Sequence, residues 1–327
     1  MRVLVTGGTG YLGRAIVRAL ASRGHTPVAF ARTASASGLH AEAVNGDIRD
    51  AAAVRRAANG CDAICHAAAL VSLWRPNRAE FDDINVGGLR HVLAAAADLG
   101  LRRVVYTSSF LALPPTGAQE PGEWNDYQRT KVAADRLARE AAGRGAPIVT
   151  VYPGVIYGPG PLTDGNLVGR QIADHLAHRL PGVLGADRLW SFSFIDDVAN
   201  GHVSALESGR VGERYLLCGE NARQMRVFEI LREVVGRALP RRIPSWVAAA
   251  LALMEEGRAR LTRKPPLLTL GTVEVLNRDW AFDSGLAERE LGYRWRPLAD
   301  GLAETLKDLV AAGAAVKAGA ADPRRDR

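Results

Sequence analysis

Cysteine is scarce and badly placed for either of its structural uses. Cys61, Cys65 and Cys218 are odd in number, form no Cys-x-x-Cys pair and have no histidine cluster at ligand spacing. That excludes a disulfide framework and a cysteine-built metal site, and the three read as reduced, buried thiols of a cytoplasmic protein with no metal. No basic segment followed by an apolar one opens the chain, because Met1-Arg2 run straight into a strand pattern, so a secretory leader is not expected. The longest apolar stretch, Trp246 to Met254, is too short to span a bilayer. Zinc-finger, RNP and repeat patterns are missing, which argues against nucleic acid. The net charge of +7 comes largely from scattered arginines and from Arg324-Arg325-Asp326-Arg327, and a nucleotide would satisfy it. With 47% apolar and 24% charged residues over 327 positions, the chain has an ordinary soluble composition and can bury a full core, in one large or two intimate domains.

The most informative stretch is Val3-Leu4-Val5-Thr6-Gly7-Gly8-Thr9-Gly10-Tyr11-Leu12-Gly13, an apolar run that breaks into glycines and resumes at helical spacing. It reads as strand, glycine turn and helix start. Gly7 and Gly8 allow backbone angles that a Cβ forbids, Gly10 lets a pyrophosphate approach the main chain, and Gly13 lets the helix lie close to the strand. The unpaired N–H groups of the helix start then face the phosphates.

Downstream the pattern alternates. A helix runs from Arg14 to Arg23, strands follow at Val28–Ala31 and Ala43–Val44, then a helix at Ala51–Asn59 and a strand at Ala63–His66. Helix Phe81–Leu99, strand Val104–Tyr106, helix Asp126–Arg144 and strand Ile148–Tyr152 complete the alternation. This predicts an α/β fold: a doubly wound Rossmann parallel sheet, with ligands at the carboxyl ends of the strands. Gly158-Pro159-Gly160-Pro161 marks a boundary. A helix at Asn166–His178, a strand at Phe192–Ile195 and amphipathic helices at Val227–Ala238 and Trp246–Thr262 then suggest a smaller, mostly helical substrate lobe. The expected division is 1–158 with 187–225 for the nucleotide domain, 159–186 with 226–312 for the lobe, and a disordered tail over 313–327.

At the end of the second strand an acid would take the ribose 2′-hydroxyl of NAD, and an arginine accommodates a 2′-phosphate. The chain has Ala31-Arg32-Thr33 and no acid until Glu42, which favours NADP(H) over NAD(H); alternatively Arg32 stacks on the adenine, which either cofactor allows. Asp47 either accepts from the adenine amine or caps the helix that begins near Asp50.

Tyr127 and Lys131 stand four apart, so they share a helix face. Lowering the phenol by ~3 units requires roughly 4 kcal/mol, which Lys131 and a bound nicotinamide cation together would supply. That would make Tyr127 a general acid/base. Ser108 and Ser109 end the fifth strand, where a hydroxyl polarises a substrate oxygen, and one of them simply starts a polar loop.

With these groups in this order, residues 1 to about 305 resemble the extended short-chain dehydrogenase/reductase family, the NAD-dependent epimerase/dehydratases. The supporting segments are Thr6 to Gly13, Gly46-Asp47, His66-Ala67-Ala68-Ala69, Asn85-Val86-Gly87-Gly88, Tyr106-Thr107-Ser108-Ser109, Tyr127-Gln128-Arg129-Thr130-Lys131 and Asp196-Asp197-Val198-Ala199. The resemblance implies hydride transfer with Tyr127 as acid/base, Lys131 on the nicotinamide ribose, Ser109 on the reacting oxygen and Asn85 supporting the active-site helix or a proton relay; without it Asn85 reads as a helix cap. It also implies cofactor contacts from Thr6, Gly7, Gly10, Tyr11, Leu12, Gly13, Arg32, Asp47, Ile48, Ala67, Ala68, Ala69, Pro153 and Val155, and a homodimer through Phe81–Leu99 and Asp126–Arg144.

Sugar-nucleotide members place an asparagine where this chain has Val155 and an arginine near Trp190, with Arg188 slightly displaced. Valine and indole remove the groups that hold a diphosphate. Ala69-Leu70-Val71, Ser109 to Leu113, Tyr152 to Gly160 and Gly212 to Leu217 are most similar to farnesol-dehydrogenase-like and dihydroflavonol-reductase-like members, with 3β-hydroxysteroid dehydrogenases as wider relatives. Trp74, Phe110, Trp190 and the Trp246–Met254 helix either line an apolar pocket or belong to the core, and that helix either packs in the small lobe or touches, without stable insertion, a membrane that carries a prenyl substrate. The expected activity is oxidation or reduction of an apolar alcohol/carbonyl pair, prenyl alcohols included. The alternatives are a sugar-nucleotide epimerase/dehydratase that recycles its NAD, and a non-catalytic NAD(P)-binding regulator.

Overall fold

Strand β1 (Arg2–Thr6) divides its side chains between two cores: Val3 and Val5 join one, Leu4 the other. A strand covered on both faces must be apolar throughout, so this short run specifies a sheet between two helical layers. The computed structural model describes residues 1–72 and 74–320 and shows that arrangement.

The chain enters through β1, α1 (Tyr11–Ser22), β2 (Thr26–Ala31), β3 (Glu42–Asn45), α2 (Ala51–Ala58) and β4 (Ala63–His66). A short helix α3 (Ala79–Phe81) and a π-helical turn (Asp82–Gly87) lead into α4 (Gly88–Asp98), β5 (Arg103–Thr107), α5 (Asp126–Gly143) and β6 (Ile148–Pro153). Then come β7 (Val155–Tyr157), α6 (Leu167–Leu176), β8 (Val183–Leu184), β9 (Leu189–Phe194), α7 (Ile195–Ser208) and β10 (Arg214–Leu217). The seven-stranded sheet has the order β10-β6-β5-β4-β1-β2-β3, all pairs parallel. Order reverses between β1 and β4, and the crevice beyond their carboxyl ends is where such sheets bind ligands. Helices α1 and α7 cover the face of Val3 and Val5; α2, α4 and α5 cover the face of Leu4.

The remaining chain supplies β11 (Glu220–Arg223), α8 (Arg226–Val235), β12 (Arg242–Ile243), α9 (Ser245–Thr262), α10 (Leu270–Leu276), α11 (Gly285–Leu291) and α12 (Leu298–Ala320). Strand β9 sits between β11 and β7, β12 pairs with β8, and Leu184, Ala248, Ala252 and Val273 form a small core of their own. Helix α11 packs on α7 and β10 of the main sheet, so the chain returns to the nucleotide half after the lobe. Asp197 fixes this return by accepting from the Arg296 amide at 2.9 Å and from its Nη2 at 3.0 Å.

The elements read from the sequence are present, with ends shifted by a few residues, and the structure adds β7, β8, α7, β10, β11, β12, α10, α11 and α12. The tail expected from 313 is helical as far as Ala320, and 321–327 lie outside the described residues.

Trp280 ties lobe to sheet: it is fully buried, donates from Nε1 to the Val275 carbonyl at 3.0 Å and packs edge-on against Phe110 and Trp124. Trp280→Ala should cost about 3–5 kcal/mol, read as a lower denaturant midpoint at unchanged slope.

Candidate active site

The glycine turn is built by close backbone approach. Gly7 has φ +71°, and a Cβ there would lie 2.8 Å from the Ala68 backbone; a Cβ on Gly13 would lie 2.0 Å from the Gly7 carbonyl. The turn is pinned by Gly7 N–H to Phe30 O at 2.9 Å and Gly10 N–H to Gly7 O at 2.9 Å. Gly10 is the N-cap of α1 without a side-chain cap, and no acid occupies the first turn. The N–H groups of Tyr11, Leu12 and Gly13 therefore face an anion-binding mouth that the sequence itself leaves unfilled, a fit for a pyrophosphate. The Tyr11 hydroxyl donates to Gly158 O at 3.0 Å, so its backbone rather than its ring faces that mouth. Thr6 Oγ1 is 2.7 Å from His66 Nδ1 and accepts from the Ala68 amide at 3.4 Å, which holds Ala67, Ala68 and Ala69 beside the turn.

Arg32 follows the last residue of β2 and is exposed, with no side-chain partner among the described residues. Asp47 caps nothing: Asp50 is the N-cap of α2, accepting from Ala52 and Ala53. The Asp47 carboxylate instead takes Arg49 Nε and Nη2 at 3.0 and 2.6 Å, which holds it down at about 2. Ile48 buries its side chain under Gly88. Arg14, which the sequence did not single out, ties the glycine turn to the next loop by donating to Thr9 O and Ser37 O.

Helix α5 carries Tyr127 and Lys131 on one face as the spacing required, and its N-cap is Asn125. Lys131 Nζ donates to Thr107 O at 3.0 Å and stands 6.0 Å from the Tyr127 ring centre. Burial pushes the ammonium down to about 8, with Asp135 one turn further on acting the other way. Part of the Tyr127 ring reaches the surface, but its enclosed hydroxyl is pushed up to about 12 by burial, against the Ser109 hydroxyl, which lowers it. Among the chain's own groups desolvation therefore outweighs any lowering by Lys131, and the expected lowering rests on the nicotinamide cation that would join it.

The two serines diverge. Ser109 accepts from the Leu111 amide at 3.2 Å and its hydroxyl lowers the Tyr127 phenol, whereas Ser108 acts in the same way on Tyr106, the Ser108 and Tyr106 hydroxyls both being buried with no hydrogen-bond partner at normal distance among the described residues. Asn85 is not a cap. It lies in the π-helical turn, accepts from Leu70 N–H at 2.7 Å and donates to Thr130 Oγ1 at 2.9 Å, bracing α5 between its two key residues. Asp135, bonded by the Tyr152 hydroxyl, continues the face of Tyr127 and Lys131. Its spacing was visible in the sequence; its burial was not.

Phe110 and Trp190 meet at 5.8 Å, in one buried aromatic cluster with Trp280, Trp124 and Phe282. Trp190 donates to Arg278 O at 3.1 Å, and Arg188 turns to Asp279 at 3.6 Å. Val155 is buried in β7 opposite Phe192, and Pro153 ends β6. Trp74 does not join this cluster: it lines a recess with Pro76, Asn77, Ala259, Arg260 and Arg263 at the end of α9.

An uncapped glycine-rich helix start at the switch point of a parallel sheet, with a tyrosine and lysine on the helix after β5, defines an NAD(P)-binding Rossmann enzyme. The chain belongs to the NAD dependent epimerase/dehydratase family, the extended short-chain dehydrogenases/reductases, whose pattern residues 3–218 match. It is 35% identical over 312 residues to sterol demethylase protein B of Methylococcus capsulatus, covering 89% of this chain and 93% of that one. It is 33% identical over 315 residues to 4-hydroxy-2-methyl-3-oxo-4-farnesyl-3,4-dihydroquinoline-1-oxide ketoreductase of Stigmatella aurantiaca, with coverage of 90% and 92%. Among solved structures, gox2253 superposes with a TM-score of 0.80 at 29% identity, covering 95% of this chain and 98% of that chain. DesIV, a dTDP-glucose 4,6-dehydratase from Streptomyces venezuelae solved with NAD bound, gives 0.75 at 25% identity, with coverage of 95% and 97%.

Because Lys131 is held near 8 in the fold against an ordinary 10.5, it penalises the folded state below pH 8 by about 3 kcal/mol, and the penalty fades between pH 8 and 10.5. Lys131→Met should therefore unfold no more easily than the parent at pH 7, with a gain on the order of 1 kcal/mol that shrinks over that window in denaturant titrations.

Proposed function

We propose that this chain is an NAD(P)H-dependent reductase of an apolar carbonyl compound, of prenyl or steroid size, with Ser109, Tyr127 and Lys131 as its reacting side chains. The observation that carries this reading is Trp190, packed on Phe110 immediately after Ser109, where sugar-nucleotide enzymes keep a guanidinium. With Arg188 engaged by Asp279 and Val155 in place of an amide, little remains to grip a diphosphate, and the wall beside the reacting oxygen is aromatic. The names of the sterol and farnesyl-quinoline relatives point to the same substrate class.

The cofactor, when bound, supplies the hydride. Its pyrophosphate would be held by the turn from Gly7 to Gly13, and its ribose and nicotinamide by Tyr127, Lys131, Pro153 and Val155. A phenol held up at about 12 is protonated at neutral pH, so Tyr127 is poised to give its proton to the carbonyl oxygen while Ser109 donates a hydrogen bond to the same atom. The carbonyl carbon gains the hydride, the oxygen gains the Tyr127 proton, and the Lys131 ammonium stabilises the tyrosinate left behind. Oxidation of the alcohol is the reverse. The outer faces of α4 and α5 would form the contact of a homodimer, and elution at monomer mass in gel filtration would remove that assignment.

The direct test mixes purified protein with farnesal, or a 3-ketosteroid, and NADPH or NADH, following loss of reduced nicotinamide absorbance. Tyr127→Phe should abolish turnover while the fold survives, and near-normal turnover would sink the mechanism. For the parent, kcat for reduction should fall as pH rises past about 8, where Lys131 loses its charge. Silence with both cofactors, together with interconversion of a sugar nucleotide, would favour the recycling epimerase instead.

Arg32, with no side-chain hydrogen bond or ion pair among the described residues and Asp47 turned to Arg49, supports a 2′-phosphate. Arg32→Ala should raise KM for NADPH about tenfold and leave NADH nearly unchanged; equal effects on both would assign Arg32 to the adenine.

A further inference from the structure

Helix α9 is built inside out. Its buried residues are the small Ala248, Ala252 and Ala259, while Trp246, Leu253, Met254 and Leu261 are 75%, 59%, 68% and 89% exposed. At about 3.6 residues per turn these four share one outer face. Leu267, just beyond the helix, is 78% exposed. The acids of α9 point the other way: Glu255 accepts from the Leu267 amide at 2.9 Å and Glu256 from the Leu270 amide at 2.8 Å. A water-facing helix has the opposite pattern, and clustered large apolar side chains on one face mark a contact surface.

The ends of this face are basic. Arg260 is 82% exposed, and its nearest acid, Glu256, is 3.9 Å away. Arg263, Lys264 and, ahead of the helix, Arg241 have no ion-pair partner among the described residues. Arg263 ends α9 at φ +54°, a left-handed cap where glycine is the relaxed choice, so a cation is kept there against a backbone cost.

We propose that the outer face of α9 docks on an anionic lipid bilayer, with Trp246, Leu253, Met254, Leu261 and Leu267 entering the headgroup boundary and Arg260, Arg263 and Lys264 among the phosphates. No described helix is long and apolar enough to cross a membrane, so α9 lies along it. A second copy is the poorer occupant, because two-fold antiparallel pairing of α9 sets Arg241 of one chain, unpaired among the described residues, against the basic end of the other. An anionic surface turns the same cations into attraction, each contributing roughly fivefold to affinity.

The test is co-sedimentation of the full chain with vesicles of phosphatidylcholine plus phosphatidylglycerol, and with phosphatidylcholine alone, at low and high salt. The parent should pellet with the anionic vesicles and be released by salt. Arg260→Ser combined with Arg263→Gly and Lys264→Ser should weaken binding about a hundredfold. Trp246→Ser with Leu253→Ser and Leu261→Ser should abolish it. Because all six positions are exposed, circular dichroism should show the fold intact in both variants. Failure of the parent to bind anionic vesicles, or equal binding by parent and variants, would overturn the proposal. So would a concentration-dependent dimer that Leu253→Ser dissolves, which would assign the face to a second copy.

Discussion

The active edge of this protein depends on backbone touching backbone where no side chain fits. The carbonyl of Gly7 occupies the space a methyl on Gly13 would need, and Gly7 rests on Ala68 at the end of β4. That contact brings the start of α1 over the switch point between β1 and β4, and the bare N–H groups of the helix then have a site to face. The cofactor half of the crevice follows from it. The sheet, apolar on both faces, supplies the rigidity that keeps it in place.

The other half of the crevice is made by desolvation. Lys131 is buried at a stability cost, held by the Thr107 carbonyl and faced by Asp135, and Tyr127 is enclosed until its phenol holds its proton well past neutrality. Asn85, in its π-helical turn, braces the segment between them through Thr130. A local irregularity and a buried cation are both unfavourable for folding, and both serve the geometry of one helix face. Beside them the aromatic cluster of Phe110, Trp190 and Trp280 belongs to the core and joins lobe to sheet.

Much of this was legible in the residues. The glycine turn, the alternation of strands and helices, the Tyr127/Lys131 spacing and the absence of an acid after β2 are local patterns, and each points to chemistry through a period or a turn that the chain makes within a few residues. Several of the missed elements are short or compositionally plain: β10 is four residues long, and α12 runs on alanine and glycine past the point where a tail is expected.

The sequence by itself determined the fold class, the glycine turn and the placing of Tyr127 and Lys131 on one helix face, because these rest on contacts between neighbours in the chain. The tertiary structure alone decided that Asp50 rather than Asp47 caps α2. It also decided that Trp74 lies apart from Phe110 and Trp190, and that α9 turns its large side chains outward. Those are matters of burial and of which distant surfaces meet. How far burial holds up the Tyr127 phenol likewise depends on how much water the fold removes, a quantity no spacing along the chain records.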